Sequence, residues 1–377
     1  MFSEVLIVGA GPAGLLCADV ISEAGIPVRI IDHRRQPARK FLMAGKGGLN
    51  LTHSEPLEKF LTRYGASQHF LEPMIRAFPP DDVIRWCQGL GIETFEGSTG
   101  RIFPKAMKAS PLLRALLLRL AGRGVTLTNQ VPWQKFDVTP TVFAMGGASW
   151  PELGSDAGWV GAFRNAGIEV KNFQPSNCRV TFAWSEYFTT RFQGQPLKNI
   201  ALRYGSQHSK GELVITRGGL EGGAIYNLSQ AMREQPGGDL HIDLKPDLNA
   251  DEIAKRLSQP RAKMSEANFL RKALGLTPPA IALLREAGRK VDAQHIKDVI
   301  LKPQGLAGLE RAISSAGGVA ISELDANCHL RKMPFNYCIG EMLDWDAPTG
   351  GYLLQACFST AVAAARHVIK TYAKSTP

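Results

Sequence analysis

Val5-Leu-Ile-Val8, Gly9-Ala-Gly11-Pro-Ala-Gly14 and, one helical stretch later, Val28-Arg-Ile-Ile31-Asp32 decide how this chain is read. The first run is short and apolar, as a buried strand is. Leu15, Leu16, Val20 and Ile21 then recur at helical spacing up to Gly25, and the second apolar run ends in an acid. Strand, glycine turn, helix, strand, acid is the layout of a dinucleotide-binding unit. In that layout Gly9 permits the tight turn, Gly11 lets backbone amides approach a pyrophosphate, and Gly14 lets helix and strand pack closely. Pro12 and Ala13 complete the turn at the positive end of the helix, where free N–H groups point at the phosphates. Asp32, 18 residues beyond Gly14, offers a carboxylate to both ribose hydroxyls, and His33 adjoins it. A glycine triplet alone reads equally well as a plain turn between a core strand and helix. Strand, helix and acid in register favour an adenine dinucleotide.

At 377 residues the chain has room for two or three domains and a large core. Hydrophobic residues at 44% and charged residues at 21% exclude wholesale disorder. The net charge of +10 admits nucleic acid, an anionic substrate or a basic solvated surface. Its one notable cluster, Arg34-Arg35 with Arg39-Lys40, follows the acid-bearing strand, where cofactor phosphates account for part of it. Cys17, Cys87, Cys178, Cys328, Cys338 and Cys357 form no CxxC pair and no metal spacing. Free thiols in a reducing cytosol, and no metal, are therefore expected. There is no basic n-region before the glycine-rich unit, and no run of about 18 apolar residues that would span a membrane. The expectation is a cytoplasmic protein without a membrane partner.

Beyond Asp32, the stretch from Lys40 through Ala44-Gly45-Lys46-Gly47-Gly48-Leu49-Asn50 to Thr52 holds its backbone close to something; a flexible surface loop is the plain alternative. Pro79-Pro80 starts a helix over 81–90, and 100–104 reads as a strand end. Ser110-Pro111 reads as a helix opening, with Ser as cap and Pro in the first turn. Two further strands are expected over 125–131 and 141–145. The first closes on Val131, and the second opens into Gly146-Gly147 at a carboxyl end, where ligands sit in such sheets. From about Ile168 alternating patterns such as Arg179-Val-Thr-Phe182 and Glu212-Leu-Val-Ile215 suggest an antiparallel sheet. A helical pattern follows from Leu248 to about Arg289, broken at Pro260 and Pro278-Pro279. Glycine-rich strand ends then return at Gly317-Gly-Val319 and Gly340-Glu341, and Gly350-Gly351 opens a last helix.

These motifs resemble the BaiN/YhiN-like bacterial flavoproteins along nearly the whole chain. The family's Arg-Lys, its Ser/Ala-Gly-Gly-Gly-Arg-Cys-Asn loop and its Thr are matched by Arg39-Lys40, Ala44 to Asn50 and Thr52. Its Ala-Thr-Gly-Gly strand end is similar to Ala144-Met145-Gly146-Gly147. Its Thr-His-x-Gly-Leu-Ser-Gly-Pro segment resembles Thr216-Arg217-Gly-Gly-Leu-Glu-Gly-Gly223. Its closing pattern is similar to Gly317-Gly-Val319, Gly340-Glu341-Met-Leu-Asp344 and Thr349-Gly350-Gly351-Tyr352. The family's Arg-Cys is Gly48-Leu49 here and its Thr-His is Thr216-Arg217, so no role of that Cys or His carries over.

The resemblance implies FAD as the dinucleotide, while the change of pattern near Ile168 and the return of glycine-rich strand ends after Ser314 give an α/β fold: a Rossmann-like FAD-binding domain, discontinuous over 1–167 and 311–377, around an inserted β-rich plus helical substrate domain over 168–310. The helical part of the insert falls at about 248–300. No second glycine-rich dinucleotide turn is present, so NAD(P)H enters only as a transient electron donor. Gly45 to Asn50 are expected beside the flavin ring. Asn50, Arg101, Lys108 and Arg217 are the candidates for catalysis: Arg101 and Lys108 for an anionic substrate group or the flavin phosphate, with solvated basic side chains as the alternative, and Arg217 to face the ring from a glycine-rich loop of the insert. Thr349 is expected to cap the last helix, with Gly350 and Gly351 leaving its first-turn amides uncovered towards the ring. Three functions stay open: a flavin oxidoreductase acting on a small molecule by hydride transfer, a flavoprotein acting on tRNA, and a flavin-binding redox sensor without turnover. The pI near 9.4 suits the second. Against it stands the absence of basic-aromatic interleaving and of an active-site Cys pair, so nucleic acid is disfavoured as partner.

Overall fold

The computed structural model describes residues 3–261 and 263–374. Residues 1–2, 262 and 375–377, and the side chains of Lys46, Ala373 and Lys374, lie outside the description. The chain forms two compact units, 1–174 with 314–377 and 175–313.

The first unit is built on a parallel sheet. Its strands are β1 (Val5–Val8), β2 (Val28–Asp32), β6 (Thr126–Asn129), β7 (Thr141–Phe143) and β8 (Asn336–Cys338). The order across the sheet is β8-β7-β1-β2-β6, with Ile7 opposite Ile30 on one side and Val142 on the other. All four residues of β1 are buried, as the apolar run requires of a strand covered on both faces. Because β1 sits between β2 and β7, the sheet reverses direction of growth beside it, and the carboxyl ends there open a crevice.

Helix α1 (Pro12–Glu23) begins straight after β1, with Gly11 as its N-cap and Pro12 in the first turn. Leu15, Leu16, Cys17, Ala18 and Ile21 are buried, so α1 is apolar nearly all round and packs between helices. Its neighbours are α3 (Ala109–Gly122) and α4 (Tyr352–Lys374). Asp19 of α1 is buried but satisfied. It accepts from Trp86 Nε1 at 2.8 Å and from Arg123 at 2.9 Å. Helix α2 (Arg39–Ala44) leads into the glycine loop, and a small antiparallel sheet follows, of β3 (Thr52–His53), β4 (Thr94–Glu96) and β5 (Arg101–Pro104) in the order β3-β5-β4.

One expected start is corrected. Helix α3 opens at Ala109 with Lys108 as an extended N-cap that makes no side-chain cap bond, rather than at a Ser110 cap. Gly45 packs against this start, since a Cβ on it would stand 2.8 Å from Ala109 N. Pro111 still lies in the first turn, where its missing N–H has no intrahelical partner to lose.

The second unit carries a seven-stranded sheet. In order across it run Val299–Leu301, Leu240–Asp243, Pro196–Tyr204, Gln207–Thr216, Gly219–Glu221, Val180–Thr181 and Gly305–Leu306, every neighbouring pair antiparallel. Helices at Ala250–Leu257, Glu266–Leu274 and Pro278–Glu286 bury Ile253, Leu270, Leu274, Ile281 and Leu284 in the core of this unit. Asn249 and Glu252 form a capping box on the first of them. Pro278 and Pro279 start the third helix, the position at which Pro is tolerated. A parallel sheet flanked by helices, with a separate antiparallel unit between its two segments, is the Rossmann-like α/β class. Among the described residues no helix is long and apolar enough to cross a membrane.

Candidate functional site

At the carboxyl end of β1 the glycines have three different reasons to be glycine. Gly9 has φ +105°, and a Cβ there would lie 2.4 Å from the Ala144 carbonyl oxygen. A Cβ on Gly14 would lie 2.0 Å from the Gly9 carbonyl oxygen, so helix and turn touch backbone to backbone. Gly11 is the opposite case. Its backbone is extended, and among the described residues nothing stands within 4 Å of where its Cβ would be. No side chain caps this end of α1, so its first-turn amides face that open space. The Asp32 carboxylate is fixed beside it by two amides, Ala10 N at 2.8 Å and Arg34 N at 2.8 Å, one on each oxygen. Each oxygen keeps a lone pair for a further donor. His33 is largely exposed, with Nε2 3.5 Å from Asp156. The Val131 amide donates to the Asp32 carbonyl at 2.9 Å, leaving its side chain 37% exposed at the end of this crevice.

The turns after β7 and β8 meet α2 in an ionic cluster. Lys40 Nζ donates to both Glu341 oxygens, at 2.8 and 2.6 Å, and to the Ser149 hydroxyl. Glu341 also accepts from Ser315 N at 3.1 Å, and the Ser315 hydroxyl accepts from Ala148 N at 3.1 Å. A Cβ on Gly147 would lie 2.1 Å from the Ser315 hydroxyl, while Gly146 and Gly340 both take left-handed φ. Arg39 is exposed. Asp344 faces elsewhere: burial pushes its carboxyl up, and Lys171 and Glu169 are its charged neighbours.

Several polar atoms around these strand ends are buried with no hydrogen-bond partner: Asn50 Oδ1, Asn129 Oδ1, Ser155 Oγ and Arg34 Nε. Buried polar atoms are nearly always paired, so among the described residues these are open to a partner such as a water or a bound ligand. Asn129 pairs in register with Asp32 at the end of β6, and Ser155 Oγ lies 3.3 Å from the Cβ position of Gly146. Sequence reading missed both. A polar residue at the last position of a sheet strand was the available signal for Asn129, and Ser155 had none.

A third cluster surrounds the start of α4. Thr52 Oγ1 donates to Gln355 Oε1 at 2.6 Å, and Gln355 Nε2 donates to the Phe78 carbonyl at 2.7 Å. The Tyr352 hydroxyl donates to Glu55, which also accepts from Arg63 Nε at 2.9 Å and from the end of its guanidinium at 2.7 Å. The His53 ring stacks on Tyr352, with centroids 5.5 Å apart, and burial lowers its pKa. Gly350 and Gly351 precede the helix with φ +133° and +100°. A Cβ on Gly351 would lie 2.5 Å from the backbone of Thr52, so close packing of α4 on β3 accounts for this glycine.

Burial alone would raise the Glu55 carboxyl, yet the hydrogen bonds from Arg63 and Tyr352 outweigh it and bring the pKa from 4.5 to about 2. A depressed acid stabilises the fold above its unfolded pKa and loses that contribution as pH falls through the folded one. Glu55 should therefore contribute on the order of 2–3 kcal/mol at neutral pH. That contribution should disappear between about pH 4.5 and 2. Urea unfolding midpoints across this window should fall steeply in the wild type and much less in Glu55→Gln. Parallel slopes would contradict the assignment.

The structure brings Gly9, Gly11, Gly14, Asp32, Ala144, Gly146 and Gly340 to one end of one sheet, and gathers Lys40 with Glu341. Of the cationic candidates, Arg101 lies on β5 opposite His53, Lys108 is exposed at the start of α3, and Arg217 is exposed in a hairpin turn of the second unit. None of the three forms an ion pair among the described residues. Asn50 is the only one of the four catalytic candidates with an unpartnered buried atom.

Known proteins resemble this chain along nearly its whole length. A family model described as "HI0933-like protein Rossmann domain" matches residues 3–367. The ribosomal RNA dihydrouridine synthase of Escherichia coli is 26% identical, over 97% of this chain and 98% of that protein. The 3-dehydro-bile acid delta(4,6)-reductase of Clostridium scindens is 22% identical, over 97% and 98%. Among solved structures, the 3-ketosteroid delta1-dehydrogenase from Sterolibacterium denitrificans superposes with a TM-score of 0.53 at 12% identity, covering 98% of this chain and 99% of that one. At that identity the likeness is one of fold.

Proposed function

The chain belongs to the HI0933-like Rossmann family, and on that footing we propose that it is an FAD-dependent oxidoreductase that moves a hydride to or from a small conjugated carbonyl compound. The observation that carries the cofactor is the open space at Gly11, faced by the uncapped end of α1 and flanked by the anchored Asp32 carboxylate. Gly9 to Gly14 would hold the pyrophosphate and Asp32 the ribose. Ala44, Gly45 and Asn50 would lie along the ring, with Gly146, Gly147, Gly340 and Glu341 along the rest of the cofactor. The orphaned atoms of Asn50, Asn129 and Ser155 are the donors and acceptors such a ligand would use.

FAD, when bound, supplies a two-electron exchange that no side chain can perform. The names of these two relatives share one chemical feature: dihydrouridine is uridine whose uracil ring is reduced at the double bond conjugated to a carbonyl, and a delta(4,6)-reductase of a 3-dehydro-bile acid reduces double bonds conjugated to the 3-ketone. Reduction of such a bond needs a hydride at one carbon and a proton at the other, with NAD(P)H as the transient donor of electrons. Where the family has a Cys this chain has Leu49, a core side chain 1% exposed, so no thiol chemistry enters at that position. Heat or acid should release FAD from the purified yellow protein at one per chain. A colourless protein, or a different released nucleotide, would contradict the proposal.

The net charge of +10 favours one second reading, in which the conjugated carbonyl belongs to a base in RNA. Retention on immobilised RNA that falls steeply with salt would favour it over a free small molecule.

A further inference from the structure

Three of the basic residues that follow Asp32 reach across the sheet. Arg34 Nη2 donates to the Pro151 carbonyl at 2.5 Å and lies 3.4 Å from Asp156 Oδ2. His33 Nε2 lies 3.5 Å from the same Asp156 oxygen, and Lys40 donates to the Ser149 hydroxyl. Ser149, Pro151 and Asp156 all belong to one loop, 148–156, which leaves the sheet after β7. Its neck is closed by the Ala157 amide, which donates to the Gly147 carbonyl at 3.2 Å. In the sheet β1 lies between β7 and β2. A link from the end of β2 to the loop after β7 therefore passes over the carboxyl end of β1, where Gly9 and Gly11 turn into α1. The loop lies across the mouth of the dinucleotide crevice.

This loop is held in place from outside itself. Trp150 and Ala157, at its two ends, take φ of +60° and +55°, left-handed conformations that side-chain-bearing residues keep only where their surroundings impose them. Gly154, between them, passes so close to the Arg34 side chain that a Cβ there would lie 3.0 Å from its Cγ. Ser155 turns inward: its hydroxyl is buried without a hydrogen-bond partner, 3.3 Å from the Cβ position of Gly146. Closed, the loop presents this polar atom at the strand ends; opened, it withdraws it. We propose that loop 148–156 is a strap over the dinucleotide crevice, latched by Asp156 on Arg34 and His33, and that the latch governs how fast the dinucleotide leaves. This rests on the FAD reading above and adds the control of FAD retention to it. Arg34 and Asp156 keep 33% and 38% of their side chains exposed, so the latch is modest in strength and screened by salt.

The test is the rate at which flavin fluorescence appears when the full-length, flavin-loaded protein is diluted. Asp156→Asn keeps the Oδ1 atom that accepts from the Gly158 amide and removes only the charge. It should speed FAD release about fivefold at low salt, the most that an exposed ion pair is usually worth. Arg34→Gln, which also loses the Pro151 carbonyl, should speed release about tenfold. Raising salt to about 0.5 M should close most of the gap between wild type and Asp156→Asn, which a general loosening of the loop would leave unchanged. Endoproteinase Glu-C should also cut after Glu152, exposed in the strap, faster in both variants than in wild type. The proposal is overturned if both variants release FAD at the wild-type rate, or if salt leaves the gap as it was. Failure of the FAD reading would register separately, as a protein purified without flavin. Cleavage at Glu152 would then still decide the latch, faster cutting of the variants supporting it and equal cutting overturning it.

Discussion

Gly11→Trp should yield a folded protein that has lost its flavin. The residue adopts φ −80° and ψ −179°, a conformation open to any side chain, and its Cβ would meet nothing within 4 Å among the described residues. Fold damage is therefore limited to a poorer N-cap, worth about 1 kcal/mol. The side chain would instead occupy the space in front of the uncapped amides of α1, where the pyrophosphate is assigned. Affinity for FAD should fall by at least about a thousandfold, or roughly 4 kcal/mol. Thermal melting of the variant should stay within about 5 °C of flavin-free wild type. Full flavin occupancy in Gly11→Trp would overturn the assignment of this turn.

Gly351→Val should do the reverse, damaging the fold before it touches any cofactor. The sequence reading expects this glycine to leave helix amides open to the flavin ring. In the structure its Cβ would collide with Thr52 Cα and the Thr52 carbonyl at 2.5 Å, and its φ of +100° is strained for any β-branched residue. Backbone strain and overpacking together should cost about 3–5 kcal/mol. That is a large part of the stability of an ordinary domain, about 5–15 kcal/mol. Because α4 packs on α1, insoluble or poorly folded protein is the expected result. A Gly351→Val protein as stable as wild type, with only its flavin potential changed, would instead place the helix amides at the flavin ring.

What the sequence could convey was set by how far apart the interacting residues lie. Residues 5–32 carry strand, turn, helix, strand and acid in consecutive positions, and the parallel pairing of β1 with β2 follows from local pattern. The N-cap of helix α3 is Lys108, two residues before the Ser110 cap that the local pattern favours. The Lys40–Glu341 pair joins positions 301 residues apart, and no periodicity or spacing reports such a contact. Gly351 was legible as a glycine that matters, but its neighbour Thr52 comes from the other end of the chain. The orphaned Asn129 and Ser155 atoms are invisible to pattern altogether, since burial without a partner is a property of the folded neighbourhood.

Hydride exchange with a double bond conjugated to a carbonyl is the proposed chemistry of this protein. Its most direct test is an anaerobic single turnover followed in the visible spectrum of the bound flavin. The flavin is first bleached with NADH, with NADPH, or by light with EDTA as the electron donor. Planar conjugated enones and a panel of simple amines are then offered separately to the bleached and the oxidised protein. The account predicts that an enone restores the yellow colour of the bleached protein stoichiometrically, with a product two hydrogens heavier, and that amines leave the oxidised protein unbleached. Bleaching by an amine, with no reoxidation by any enone, would contradict it.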